Sequence, residues 1–427
     1  MKIYNFLIEM KKSTFLTIIL CYNLILSQAQ EYRKITTDSY QKSLESNYPA
    51  VKAEKIKTDK QINDFKKSPK FKKVVLPLVF HVLYKAGAEY PSEAQVLSQV
   101  DALNKDFDKK NYKSKHKADS IERFIDKAGD MEIQFCLAKQ NPMGVTTNGI
   151  NFINTNSSGW GMASDIKNTG RGGQSPWDVD KYINIWVADL GEATNGYAQM
   201  PGGPKETDGI VIDYRFFGTT GTAIAPYNLG KTLTHLIGNY LNLFDLWGSC
   251  YCCDDLVDDT PIHNAPNYGA TSEYRHVSLC PGNGVELSMN FMDNTDDEWM
   301  YMFTNGQKLR MQAVLADNGI RAGLVNNNTS CKNNLDQTET RSISKTLINI
   351  FPNPARGDIN FSIDAGKGEA IQLIAIDQMG RIIKTEKQII VKGINNLKWN
   401  AASWTPGIYT IKAISADTNA EQKLIIY

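Results

Sequence analysis

The residues best placed to do chemistry lie in KTLTHLIGNYLNLFDLWG, 231–248. Periodic apolar content predicts a helix over 231–241, so His235 and Asn239, four apart, share one face. Asn242 tolerates the left-handed backbone that ends a helix, and Asp245 follows beyond that turn. An imidazole and a carboxylate would hold a metal ion only weakly, and the neutral amide oxygen of Asn239 adds little. The chain has only five histidines, His81, His116, His235, His263 and His276, and any multi-histidine site must draw on them. His81 lies in a strand-like run and reads as a core residue. His116 sits in a Lys-rich segment and reads as solvated. His263 and His276 lie in the irregular region after the helix. A second cluster, Asp254, Asp255, Asp258 and Asp259, crowds four carboxylates into six residues. Hard oxygen donors at that density favour Ca²⁺. A third cluster is Cys250, Cys252 and Cys253, with which Cys280 is expected to pair; spacing leaves the connectivity open.

These groups must be carried by a folded framework, and the composition allows one. The 427 residues suit two or three domains, with 42% apolar and 22% charged residues. Lys+Arg of 47 against Asp+Glu of 46 gives no charge excess that points to nucleic acid or an anionic membrane. The segment TFLTIILCYNLILS (14–27) follows Lys11 and Lys12 and exits at Ser27-Gln28-Ala29, so residues 1–29 read as a signal peptide. That run is shorter than the roughly 20 residues of a spanning helix. Leu20 before Cys21 argues against lipidation. No other stretch could span a bilayer, so the mature chain is expected to be exported, with no transmembrane span and with its cysteines in a disulfide-permissive compartment.

Residues 30–73 are polar and helix-prone and read as a solvated, propeptide-like leader; 51–73 carries nine Lys against three acidic residues. The main domain spans 74–325. It opens on the β-rich run VVLPLVFHVLY (74–84), has helices expected at 92–107, 230–243 and 305–317, and a buried strand in YINIWVADL (182–190). Mixed strands and helices indicate an α/β or α+β domain. A polar linker follows at 326–347. From 348 to 427, seven short strand-like runs separated by turn residues indicate a small β-sandwich, read as all-β and immunoglobulin-like.

INIFPNPARGDINFSI, DQMGRIIK, WTPGIYTIKA and the final KLIIY resemble the type IX secretion sorting domain. That resemblance implies export across a Gram-negative outer membrane, contact with the type IX machinery, and secretion or attachment at the cell surface. The central region resembles the pappalysin family of metzincin zinc peptidases. LPLVFHVLY (76–84), NGINFINT (148–155), YINIWVADLG (182–191), DGIVIDYRFFG (208–218), TLTHLIGNYLNL, DDLVDDTP (254–261) and NFMDNTDDEWMYMFTNGQKLRM (290–311) carry the match. The family motif, H-E-x-x-H-x-x-G-x-x-H with a Met-turn, supplies three zinc ligands and a general base.

Carried over residue by residue, the resemblance places His235 at the first zinc ligand. It puts Leu236 at the general-base Glu, Asn239 at the second His and Asp245 at the third. Met292 falls at the Met-turn. Asn294 stands where the family has a Tyr that stabilises the tetrahedral intermediate. Asn242 replaces the motif Gly, a mild change. YRKITTDSY (32–40) resembles a propeptide segment whose Arg-x-Cys blocks the zinc, and Ile35 takes the Cys position. The family's loop over Asp254–Asp259 binds structural calcium. Asp297 matches a residue that forms the floor of a pocket for basic side chains. The family's second disulfide would need a Cys where Trp299 stands. The expectation is a pseudopeptidase: no intact catalytic residues, zinc absent, calcium possible, and a peptide or protein ligand with basic side chains held in the cleft. An active zinc endopeptidase with an unorthodox site and a surface adhesive scaffold are the alternatives.

Overall fold

The computed structural model describes residues 32–110, 124–269, 276–282, 284–326, 347–365, 368–378, 381–391, 393–414 and 419–427. The expected signal peptide, His116, Cys331 and nearly all of the expected linker lie outside them. The chain forms two compact units that divide between Asn333 and Asn334.

The first unit begins with the leader, as helices α1 (Thr37–Asn47) and α2 (Ala50–Lys67). Strand β1 (Val74–Tyr84) comes next, then helix α3 (Glu93–Phe107), whose Ser92 side chain accepts from the Gln95 N–H. Strands β2 (Ile133–Leu137), β3 (Ile150–Asn154), β4 (Ile183–Ala188), β5 (Gly196–Ala198) and β6 (Ile210–Asp213) complete one sheet. Its order is β2-β1-β4-β6-β5. β2 pairs with Val74–Leu78 of β1, and β3 pairs with Phe80–Tyr84 further along the same side. All these pairings are parallel except that of the edge strand β5. β1 is buried from residue 76 to residue 83, which is why its sequence is a continuous apolar run rather than an alternating one.

The remaining elements pack beneath the sheet: helix α4 (Lys231–Tyr240), the short pair β7 (Tyr268–Gly269) and β8 (Asn294–Thr295), and helices α5 (Asn305–Leu315) and α6 (Ala322–Asn326). α5 starts on a capping box made by Thr304 and Gln307. α4 ends before the predicted 243 because Asn242 turns left-handed, with φ 76°. Leu78, Phe80, Leu103, Phe107, Leu236, Ile237, Met292, Phe303 and Met311 share one core.

The leader departs from the solvated character expected of it. Arg33, Tyr40, Leu44, Val51 and Ile62 are all buried, and Ile62 belongs to the same core as β1 and α5. A helix with one apolar residue per turn looks polar on average, so composition hides its single packed stripe.

The second unit contains β9 (Leu347–Phe351), β10 (Asp358–Ala365), β11 (Glu369–Asp377), β12 (Ile382–Ile390), β13 (Gly393–Asn400), β14 (Gly407–Ile414) and β15 (Asn419–Ile426). They form two antiparallel sheets, β13-β10-β9 and β12-β11-β14-β15. Alternate residues of both sheets, such as Ile359, Phe361 and Ile363 with Leu373, Ala375 and Ile411, fill one common core.

Candidate functional site

Helix α4 is fixed at its start by Asp106 of α3, which accepts from the Lys231 ammonium and, at 2.6 Å, from the Thr234 hydroxyl. This turns His235 and Asn239 toward the chain that returns after Asn242. There Asp245 meets them: its Oδ1 lies 2.9 Å from His235 Nε2 and accepts from Asn239 Nδ2 at 3.2 Å. The structure therefore brings His235, Asn239 and Asp245 to one corner, all of them buried. The other imidazole nitrogen, Nδ1, is 3.2 Å from the Asp293 carbonyl oxygen. Both ring nitrogens face oxygens that can only accept, so both contacts are hydrogen bonds only when both nitrogens carry hydrogen.

The Asn239 amide is oriented by its partners. Its nitrogen also donates to the Leu243 carbonyl at 3.1 Å, and its oxygen accepts from the Thr37 hydroxyl at 2.8 Å. Thr37 in turn accepts from the Ala198 N–H at 3.1 Å. The amide oxygen is thus turned to the leader, away from His235.

Leu236 is fully buried and lies against Gly196, where an added Cβ would come within 2.7 Å of its Cδ1. Ile35 bridges the same Gly196 in parallel, so leader and edge strand close over this point. Met292 lies under α4, its sulfur 2.5 Å from where a Cβ on Gly238 would stand; only glycine permits that approach. Asn294 is buried on β8 beside Tyr268 of β7. Burial raises the Tyr268 hydroxyl above its ordinary pKa, and the Asn294 amide opposes this. Sequence reading missed Tyr268, a phenol beside the position where the family's tyrosine is replaced. Its only signal was a tyrosine in the loop region that flanks the cleft.

Asp297 sits at the start of α4, wholly buried. Its Oδ2 accepts from the Leu229 N–H at 2.7 Å and the Lys231 N–H at 3.3 Å, and its Oδ1 is ion-paired with Arg33. Burial pushes this carboxyl up and the Arg33 guanidinium pulls it back. Arg33 also lies over the Tyr227 ring at 4.9 Å, while its backbone N–H donates to the Tyr227 hydroxyl at 2.9 Å. The leader thus places a basic side chain against the acid predicted to select one. The sequence showed both residues but not their meeting, because they are 264 positions apart.

The other histidines stand outside the metal corner. His81 is buried between Asn184 and Asn151, and burial holds it down at about 4, so it stays neutral. His263 accepts from the Leu287 N–H at 2.8 Å and lies 3.4 Å from Asp293. His276 contacts Glu286 at 2.6 Å. Each of the four clustered aspartates has its own partner. Asp254 accepts from the Leu256 N–H, Asp255 from the Thr260 hydroxyl, Asp258 pairs with Lys66, and Asp259 accepts from Thr304 and from the Gly306 N–H at the start of α5. Among the described residues no three His, Cys, Asp or Glu side chains converge as metal ligands. Cys252 pairs with Cys280, and Cys250 with Cys253.

Comparison with known proteins gives this arrangement a class. Residues 171–316 match the pregnancy-associated plasma protein-A peptidase family, and residues 349–427 match the secretion system C-terminal sorting domain. An extracellular metalloprotease of Arthroderma otae is 30% identical over 202 residues, covering 40% of this chain and 70% of that protein. Extracellular metalloprotease 1 of Coccidioides posadasii is 37% identical over 141 residues, and the chain spans 49% of its length. Among solved structures, a promirolysin mutant of Tannerella forsythia superposes with a TM-score of 0.61 at 33% identity, over 69% of this chain and 97% of that one. Mature Tannerella forsythia mirolysin in complex with a cleaved peptide gives 0.56 at 36% identity, over 60% and 97%. The chain belongs to the pappalysin family of metallopeptidases and carries a type IX sorting tail, which marks it for secretion or display at the cell surface. No helix among the described residues is long and apolar enough to cross a membrane.

The family is zinc-dependent, and a catalytic zinc takes three protein donors plus water. Here one imidazole nitrogen and one carboxylate oxygen contact each other, and the third side chain presents an N–H to the corner. This donor set does not fit the metal.

Proposed function

We propose that the protein is a secreted pappalysin-family pseudopeptidase. It would recognise peptides or proteins with basic side chains in the old cleft and would not hydrolyse them. The observation that carries this reading is the corner itself: His235 and Asp245 hydrogen-bond to each other, and Asn239 points its oxygen to Thr37. Leu236, buried against Gly196, has no group that accepts a proton. Loss of a general base alone costs about 10²–10⁴ in rate. Recognition is supported by Asp297, which keeps its buried acid and holds Arg33. In this reading the leader is a propeptide-like occupant of that pocket. The second unit, with two antiparallel sheets around one core, is an immunoglobulin-like sorting sandwich that engages the secretion machinery.

The test combines zinc content of the purified protein by mass spectrometry with a fluorogenic peptide assay. Less than stoichiometric zinc and no chelator-sensitive cleavage are expected; stoichiometric zinc with such cleavage would overturn the reading. Restoration is the complementary experiment. Leu236→Glu, Asn239→His, Asp245→His and Asn294→Tyr together are expected to raise zinc affinity, because Met292 and the α4 backbone still frame the corner.

A further inference from the structure

A second concave site lies away from the cleft, and the winding of the sheet explains it. From β1 the chain passes to β2 and β3 on one side of that strand, then returns to β4 on the other. The carboxyl ends of β1 and β4 thus flank a reversal of strand order, where connecting loops diverge and α/β sheets open a crevice. A cavity of about 170 Å³ lies there.

One wall is aromatic. Tyr84, which ends β1, stacks on Tyr90 at 4.4 Å with 26° between the rings, and Phe152 of β3 supports Tyr90 from its edge at 6.0 Å. Tyr90 is 43% exposed, so the outer part of the stack remains open. Trp160 contributes a buried surface. Beside the apolar Leu83 and Ala88 the lining carries polar groups, Ser158, Glu89 and Asp189, with Lys85 as the cation. One oxygen of Asp189 is anchored by the Gly191 N–H at 2.9 Å. The Tyr214 hydroxyl, also in the lining, is raised above its usual range by burial, opposed by Arg215 and supported by Asp213, Asp189 and Glu89.

This chemistry narrows the ligand. Two carboxylates against one lysine disfavour a phosphate or other anion. The hydroxyls and carboxylates disfavour a purely apolar guest, which would leave them dry and unpaired. A cation would use the same free ring face beside Glu89 and Asp189, and it is the rival guest that the experiment must separate from a sugar. A sugar ring needs one free aromatic face for its C–H groups and acceptors for its equatorial hydroxyls. We propose that the cavity binds a neutral pyranose, stacked on the outer face of the Tyr84–Tyr90 pair and held through its hydroxyls by Asp189 and Ser158.

The experiment is saturation-transfer difference NMR on the full chain with glucose, galactose, mannose and N-acetylglucosamine. Transfer to at least one of them is expected. Tyr90→Ala should weaken it about tenfold, the scale of one lost aromatic contact, and Ser158→Trp should block it by filling the mouth. Both positions are exposed, so these variants keep the fold. The proposal is overturned if no sugar receives transfer, or if both variants bind as the parent does. It is equally overturned if choline or an arginine amide binds instead and Glu89→Gln abolishes that binding.

Discussion

The two ends of helix α4 carry differently built sites. At the metal corner, His235, Asn239 and Asp245 satisfy one another and the leader, leaving no set of lone pairs aimed at a common point. At the Asp297 pocket a wholly buried carboxylate is still held by two backbone N–H groups and still faces a cation, here Arg33 of the same chain. The close Gly238–Met292 contact under α4 is present. If the proposed reading holds, chemistry and recognition are separable in this scaffold. Zinc ligation depends on three side chains that substitution can cancel one at a time. The acid pocket depends on backbone geometry that persists as long as the loop before α4 folds.

The contrast is broken most directly at the ion pair. Arg33→Ala leaves Asp297 buried without its cation and is expected to destabilise the first unit by about 3–5 kcal/mol, the usual penalty for halving a buried pair. Urea unfolding measures it. Replacing both residues by Met and Leu should recover much of the loss. A nearly neutral Arg33→Ala would mean that the pocket is not built around charge.

A second carboxylate sharpens the point because it is buried without a bonded cation. Burial raises Asp255 to about 7, opposed by the Thr260 hydroxyl and the Val257 N–H, with Asp254 adding upward and Arg310 downward. The folded state then holds a proton that the unfolded chain, at 3.8, has released. Stability from this group is full below the unfolded value and is lost as pH rises to about 7, by about 4 kcal/mol at most. Asp255→Asn should flatten unfolding free energy across that window; an unchanged slope would refute the assignment.

The smallest effect belongs to the metal corner. Thr37→Val removes the donor to Asn239 and the acceptor for Ala198 and should cost about 1–3 kcal/mol by the same urea measurement. A loss as large as that of Arg33→Ala would erase the difference between the two ends.

Much of this was legible in the sequence. Helical spacing joined His235 to Asn239, and Asn242 marked the turn that returns Asp245. The run 74–84 lacked alternation because both its faces are covered. The leader's role was not legible, since Arg33 and Asp297 are far apart in sequence, and Tyr40, Leu44, Val51 and Ile62 are sparse apolar residues in otherwise polar helices. Pairing within the cysteine cluster was also open: spacing cannot say which of three neighbours meets Cys280, whereas packing selects Cys252.

The join between leader and sheet has a further consequence. Residues 67–73, which connect α2 to β1, are all exposed. Arg33 is joined to that stretch through α1 and α2, and a group tethered in this way acts at an effective concentration of about a millimolar or more. If the pocket takes peptides as proposed, a free peptide of micromolar affinity supplied at micromolar levels would not displace it. Under the proposed recognition role, occupancy would be decided by covalent continuity: a single cut in that exposed stretch would turn an intramolecular competitor into a separable one.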